Sequence, residues 1–536
     1  MSIDPRSPCL IGTARRTWHP GDTTAPEPLT MWDQLARAAA GDGSARHHVL
    51  GAIDYLGLVH CQSWAYDHPV DRLADRLRIS DAHHVESILA GTSPQRLLND
   101  AAARMLRGDT SVALVVGGEA LATRRQYDLN NEPPPWSYPH PSPPALPVDL
   151  DEWYLPTEIA HGVLPAWLTF ALLEQARWAA RGGKPGPRSD LNAVIAELNE
   201  VAGTNPDAWF SQSRTLDELT TAAIDNRMVT TPYTKRMTAF LNVDMAAANL
   251  LVTKEVADAW QVPDDQRVYL RGWGFARDAV HVAARAQLGS SPGMCTATTD
   301  ALHAADIDVD DIDVFDLYSC FGSAVEFAGD ALRLAADDLR PRSVTGGLPY
   351  HGGPSSNYMS HSIGHIVSRL RAGTAETALC TGIGMHMTKH VAAVWARTPD
   401  SIRHWHEPGT QQWGRPGSSD ERHVVDHPDG TGTLAAATVV HDANGEPDHV
   451  IAICNLDDSA RCYAKTADEA VMTAVLEDRW ADQHVRIEPT DTGTNNIRLW
   501  SGDQYPDRAV SSVSTRAGTG TRPRSVTHLL EPTRQP

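Results

Sequence analysis

Residues 91–119 read GTSPQRLLNDAAARMLRGDTSVALVVGGE, and this stretch decides the fold. Gly91 and Thr92 make a small turn. Ser93 is a helix N-cap residue, and Pro94 behind it suits the first helical turn, where no amide donor is lost. The run LLNDAAARMLR is built from good helix formers. Gly108-Asp109 closes the helix, because glycine takes the left-handed conformation beyond a last turn at no steric cost. Val112 to Val116 is then an unbroken apolar run that ends in Gly117-Gly118-Glu119. A short, continuous, β-branched run is a strand covered on both faces. Turn, helix and buried strand in succession are a piece of a mainly parallel sheet with helices on it.

The same pattern extends outward in both directions. Upstream lie CLIGTA (9–14), a helix around MWDQLARAAAG (31–41) and HVLGAIDYLGLVH (48–60). Downstream, the proline cluster NNEPPPWSYPHPSPPALPV (130–148) can be neither regular helix nor central strand. It opens a largely helical insertion that holds most of the local Lys and Arg. The βα pattern resumes near 266. VYLRGWGFA (268–276) reads as a strand, DVFDLYSCFGSAVEFAGDAL (313–332) as a strand feeding a helix, and ETALCTGIGMHMTKHVAAVW (376–395) as strand, turn, strand. The two halves repeat one another, which implies a duplicated α/β architecture. Residues 401–425 are polar and read as a linker. From 426 to 502 a third unit is β-rich: Asn444-Gly445 joins two strand runs as a hairpin, RCYAKT follows, then a helix over 468–483, then HVRIEP and NIRLW. Residues 503–536 lack apolar patterning and are expected to be disordered. The predicted division is therefore 1–125 with 236–265 for the first half, 126–235 for the insertion and 266–400 for the second half. The linker, the small domain and the tail follow.

Composition narrows the function. The chain has 536 residues, 41% apolar and 21% charged, and a net charge of −21, which disfavours nucleic-acid binding. No apolar stretch is long enough for a membrane span. MSIDPRSPCL has no basic segment before an apolar core, so no secretory signal is read there. The seven cysteines are Cys9, Cys61, Cys295, Cys320, Cys380, Cys454 and Cys462. They are scattered, mostly in apolar runs, and lack zinc-ligand spacing, so the expectation is reduced thiols in a cytoplasmic protein without a metal. His404 and His406 form a His-x-His pair with no further ligands at metal spacing. Gly382-Ile383-Gly384 lacks the rest of a dinucleotide fingerprint, and GxSxG is absent.

Over about 1–400 these motifs resemble the thiolase superfamily, and within it the sterol-carrier-protein type of thiolase. The chain is similar to actinobacterial thiolase-like proteins of type 1, acetyl-CoA acetyltransferase relatives with an extra C-terminal domain. The resemblance implies an α/β fold of two βαβαβαββ halves in five αβαβα layers, with a loop-domain insertion covering coenzyme A. It also implies four motif positions. The reactive cysteine at the mouth of the 91–119 helix falls on Gly91, and no cysteine occurs between Cys61 and Cys295. Glycine cannot carry an acyl group as a thioester. Ser93, nearby, has no adjacent base. The oxyanion-shaping box falls on Tyr318-Ser319-Cys320-Phe321, where the Tyr318 hydroxyl could donate to an oxyanion. The Gly-His-Pro box falls on Gly352-Gly353-Pro354, with Gly353 in the histidine position and His351 two residues before it. The Cys-x-Gly box is intact as Cys380-Thr381-Gly382.

The candidate catalytic residues are thus Cys380, Tyr318 and His351, in a frame from which two functional groups are gone. LNVDMAAANLL (241–251) also resembles a family signature, a strand end with Asn242 and Asp244 before an Ala-rich helix, close to the coenzyme. Lys184, Arg188, Arg214, Arg227, Lys235 and Arg236, in or beside the insertion, could meet coenzyme phosphates. The implied function is an acyl-CoA-binding protein of lipid metabolism with a degenerate centre. The alternatives are an acyltransferase using an unusual site, or a scaffold that recruits a partner through the C-terminal domain. The oligomeric state, monomer or homodimer, stays open.

Overall fold

The computed structural model describes residues 3–22, 24–42, 49–143, 150–186, 188–400, 402–403, 405, 407, 415–456 and 459–500. The His404/His406 pair, part of the linker and the 503–536 tail lie outside the described residues.

A ten-stranded sheet spans both halves. Its main path runs His83–Glu86, Tyr55–Leu58, Val112–Ala120, Asp244–Thr253, Pro8–Thr17, Val268–Arg277, Lys389–Ala396, Thr377–Gly384 and Val314–Asp316. The halves meet at a short seam, where Cys9 faces Tyr269 and Leu10 faces Val268. Outward from the seam, each half places its first strand, then its last, then the one before that. The last strands, Asp244–Thr253 and Lys389–Ala396, are antiparallel to both neighbours, whereas the outer strands pair in parallel. This shared order is the duplication read from the sequence. The second half is one strand shorter: residues 333–346 form a loop, tied back where the Leu317 amide donates to the Arg342 carbonyl at 2.8 Å.

Helices Ser93–Arg107 and Tyr358–Arg371 each touch strands of both halves. They form the middle layer and share one core through Leu97, Leu98, Ile363, Ile366 and Leu370. Pro28–Gly41 and Pro69–Leu77 cover the outer face of the first half with Met31, Trp32, Leu35 and Leu73. Gly108 ends the Ser93–Arg107 helix at φ +85°, as its position demanded.

Residues 244–253 correct the sequence reading. MAAANLL is a strand in which every residue is buried, not an Ala-rich helix. It lies between Val112–Ala120 and Pro8–Thr17. Alanine's helix preference is worth under about 1 kcal/mol per residue, less than two ladders of backbone pairing in a buried sheet.

The third unit is an eight-stranded sheet, and two of its strands come from the insertion. Its own strands run in the order His423–Val424, Ala460–Thr466, Pro447–Asn455, Gly430–His441, His484–Pro489 and Asn495–Leu499. Met228–Thr230 of the insertion joins it where Thr230 faces Val440. The Asn444-Gly445 turn forms with Gly445 at φ +88°. The helix is shorter than read, Glu469–Leu476, with Asp468 as its cap. Alternate residues face opposite ways. Val450, Ala452 and Cys454 pack with Trp480 in a private core, while Ile451, Ile453 and Tyr463 join the main core. Polar clamps hold the junction. The Tyr463 hydroxyl donates to Glu158 at 2.8 Å and accepts from the Ala283 amide at 3.1 Å. Asn495, fully buried, donates its side-chain amide to the carbonyls of Asp426 and Tyr463. Its main-chain N–H donates to His161 Nε2 at 2.8 Å.

Asn495→Ala removes two buried hydrogen bonds and strands two carbonyls, so it should cost roughly 2–4 kcal/mol. Urea unfolding followed by tryptophan fluorescence measures this. A loss below about 0.5 kcal/mol would mean that the clamp is not formed in solution.

Candidate functional site

The mouth of the Ser93–Arg107 helix is filled from across the molecule. A Cβ placed on Gly91 would sit 2.2 Å from the Tyr318 hydroxyl and 2.3 Å from the Ile383 carbonyl oxygen. Tyr318, on the position that the resemblance gives to the oxyanion residue, therefore occupies the space that a side chain on residue 91 would need. Tyr318 is buried, its amide donates to Thr381 Oγ1 at 2.8 Å, and its ring meets Tyr358 edge-on at 5.4 Å. Burial raises its phenol well above the ordinary range. Ser93 is not a cap after all: the helix begins with it, Thr92 takes the cap position, and the Ser93 hydroxyl donates to the Ile88 carbonyl at 2.7 Å.

The other motif positions are equally closed. Cys380 is fully buried, and its thiol lies 3.7 Å from Gln95 Oε1. Burial, with the Asp316 charge, pushes it up to about 12, so it is a neutral thiol at physiological pH. A Cβ on Gly353 would meet the side chains of Leu241 at 3.1 Å and Leu348 at 3.3 Å. The histidine direction is thus lined with leucine. His351 turns into the protein instead. It is fully buried beside His361 and His365, with ring centroids 5.6 and 5.5 Å away, and its Nδ1 lies 3.3 Å from the Asn205 amide. Burial holds His351 down to about 3 and keeps His361 and His365 neutral as well. Tyr358 is in ring contact with both His351 and Tyr318. Sequence reasoning missed this histidine cluster. Its one signal was the i, i+4 spacing of His361 and His365. Among the described residues no group of three His, Cys, Asp or Glu is arranged to hold a metal.

Ser291, His390 and Asp278 meet in the core in a set that mimics a hydrolase triad. His390 Nε2 contacts both Asp278, at 2.9 Å, and Ser291, at 3.2 Å. One nitrogen cannot relay between two partners as a triad requires. The serine instead accepts from the Met294 amide as the cap of helix Pro292–Ala305. Burial would raise Asp278, but hydrogen bonds from His390 and Ser291 and the Arg285 charge outweigh it and hold it at about 2.

The open space lies elsewhere. A cleft of about 1950 Å³ separates the insertion from the first half. Its insertion side carries Arg214, Lys235 and Arg236, joined by Asn242, Phe210 and Tyr350. Burial, with the charges of Arg227 and Arg236, lowers Lys235 from its ordinary range, which marks a crowded cationic corner. Arg236 is partly neutralised by Asp225. The buried Tyr350 hydroxyl has no hydrogen-bond partner among the described residues, and Arg214 and Arg236 are near enough to bias it electrostatically. Four expected ligands do not line the cleft. Arg188 is spent on Asp478 at 2.6 Å and on the Trp178 ring. Asp244 accepts from the Thr123 amide and hydroxyl at the start of a helix. Lys184 is exposed outside it. Arg227 donates to the Met228 and Asp442 carbonyls.

No family's sequence profile matches the chain. No curated protein matches it by sequence. Solved structures do match. A monomeric SCP2-thiolase-like protein type 1 from Mycobacterium smegmatis superposes with a TM-score of 0.78 at 28% identity, over 93% of this chain and 100% of that one. The chain belongs to the thiolase superfamily. Its place is the SCP2-like branch. At 14% identity the Ltp2-ChsH2(DUF35) aldolase (TM-score 0.55, 75% of this chain, 99% of that one) and the human mitochondrial 3-ketoacyl-CoA thiolase (0.54, 73% and 99%) share the fold.

Two outcomes are expected. Gly91→Cys forces its side chain into Tyr318 and a backbone carbonyl, so it should destabilise the fold by about 1–3 kcal/mol and yield no thiolysis of acetoacetyl-CoA. More than trace turnover in this variant would refute the packing argument. Second, three buried histidines and the largely covered His365 are neutral in the native state, including His386, held by burial at about 4. The unfolded chain protonates them below about pH 6.5, and the folded protein does not until far lower. Stability therefore falls with pH from about 6.5 towards 4, by up to about 1.4 kcal/mol per pH unit for each histidine. His351→Gln should make this slope shallower by one proton. Equal stability at pH 7 and 5 would contradict neutral burial.

Proposed function

We propose that this member of the superfamily binds acyl-CoA in the cleft and has lost thiolase catalysis. The carrying observation is the separation of two features that a thiolase combines. The cleft, with its cationic corner, is spacious, while Tyr318, Cys380 and His351 are buried, a side chain on Gly91 would clash with Tyr318, and all four are absent from its lining. A coenzyme presents phosphates, and Arg214, Lys235 and Arg236 supply the charge to meet them within a protein of net charge −21. The aromatic lining, Trp64, Phe210 and Phe240 among it, suits the adenine or the acyl chain. Seven free cysteines fit a reducing, cytoplasmic setting. The small domain of 426–502 shares its sheet with two strands of the insertion, so a partner recruited through it would be held beside the cleft wall. One relative with this fold is named an aldolase, so fold alone does not fix the reaction.

Calorimetry with coenzyme A at low and high salt tests the reading. Binding should weaken with salt through screening. Lys235→Ala should raise Kd by roughly tenfold, the loss expected for one charged contact. No heat at millimolar coenzyme would remove the proposal. Thiolysis of a 3-ketoacyl-CoA by the purified chain would remove its second half.

A further inference from the structure

We propose that the cleft holds a reactive centre of its own, in which His60, oriented by Glu86, is the general base for hydrolysis of a thioester. The inference rests on the reading that an acyl-CoA enters this cleft. His60, Cys61, Gln62, Ser63 and Glu86 line it opposite the cationic corner. His60 follows strand Tyr55–Leu58 by two residues, and Glu86 ends the parallel neighbour His83–Glu86. Ligands of open α/β sheets bind beyond the carboxyl ends of such strands.

The segment is rigidly built. Glu119, almost fully buried, accepts from the amides of Gln62 at 2.7 Å and Ser63 at 2.8 Å. Ser63 Oγ accepts from the Ala120 amide, and the His60 amide donates to Ser87 Oγ at 3.0 Å. Gln62 Oε1 accepts from Ser355 at 2.9 Å, which ties the segment to the old Gly-His-Pro loop. Glu119 thus acts as a positioning residue that freezes the loop carrying the imidazole.

The dyad itself stays accessible. His60 Nδ1 lies 3.5 Å from Glu86 Oε1, with the side chains 26% and 39% exposed. A carboxylate at Nδ1 favours the tautomer that carries its proton there. Nε2 is then an acceptor, and among the described residues nothing hydrogen-bonds to it. Cys61 is not the nucleophile. Its thiol lies 3.5 Å from the Glu119 carboxylate, and burial beside that charge raises it well above the ordinary range. Water is the nucleophile left. His60 Nε2 takes a proton from water as the water oxygen adds to the thioester carbonyl carbon. The adduct collapses by breaking the carbon–sulfur bond, and the imidazolium returns its proton to the departing thiolate. The products are a carboxylic acid and free coenzyme A, with no redox change.

The test is release of free thiol from acetyl-CoA and butyryl-CoA by the full chain, alongside calorimetry with coenzyme A. His60→Gln should lower hydrolysis at least about 100-fold, the range for a general base, with coenzyme Kd within about twofold. Glu86→Gln should lower kcat with KM unchanged, and Glu86→Asp should restore part of the lost kcat, because the carboxylate acts through the imidazole it faces at 3.5 Å. A residue with a merely structural role would not be rescued by the conservative variant. Thermal melting checks that both variants fold. Coenzyme binding with thiol release no faster than in buffer overturns the inference and leaves the binding proposal intact. So does hydrolysis unchanged in His60→Gln, or an acyl adduct on the protein by intact mass. If coenzyme A does not bind, the binding proposal fails first, and an N-acetylcysteamine thioester then decides the inference. Hydrolysis lost in His60→Gln supports it; no hydrolysis overturns it.

Discussion

The Tyr318 hydroxyl, packed into the space above Gly91, is the constraint on which the rest of the site depends. A thiolase mouth needs room for a sulfur, an acyl carbon and an oxyanion at one point. Here that point holds a phenol and the Ile383 carbonyl. The two replacements therefore act as one. Glycine at 91 leaves a hole, and a buried hole is costly, so the larger side chain at 318 fills it. Gly353 follows the same logic, with Leu241 and Leu348 closing the space beside it. Side chains and backbone therefore fill the positions at which the resemblance expects functional groups.

That packing leaves the open space to one side, in the cleft. The middle-layer helices touch strands of both halves, and the insertion is anchored twice, first against the motif positions, where the Trp209 amide donates to the His351 carbonyl and Phe170 stacks on Phe321, and then against the small domain. The insertion lends a strand to the C-terminal sheet at Thr230 and Val440. It also presents Glu158 and His161 to Tyr463 and Asn495. Arg188, an expected phosphate ligand, serves this anchoring through Asp478. The small domain thus braces the wall that carries Arg214, Lys235 and Arg236.

How much of this was legible in the sequence follows from the range of each signal. The Asn444-Gly445 hairpin and the repeated βα pattern are local and lie where they were read, whereas the cap expected at Ser93 falls on Thr92 and the last helix ends at Leu476. MAAANLL failed because its conformation is set by two neighbouring strands remote in sequence, not by alanine's own preference. Gly91 and Gly353 could be recognised as missing groups from motif position alone. What fills them could not, since Tyr318 lies 227 positions from Gly91 and the direction of a phenol is a tertiary fact. The basic residues of the insertion looked equivalent on paper. Three of them face the cleft, while Arg188 and Arg227 close structural contacts, a difference made only by packing.

The histidines show the same separation between interior and cleft. His351, the sequence candidate, went inward, where burial strips it of any charge at neutral pH and joins it to His361 and His365. A base that cannot be protonated near pH 7 is a poor proton shuttle, because it binds a proton only at a free-energy cost that grows with its depressed pKa. His60 has the opposite environment: part-exposed, beside a carboxylate, and on a loop pinned by Glu119. Proton transfer in this chain is therefore better served at the rim of the first half than at the old centre. The groups that face open space, Arg214, Lys235, Arg236, His60 and Glu86, line the one cleft that the insertion and the first half share.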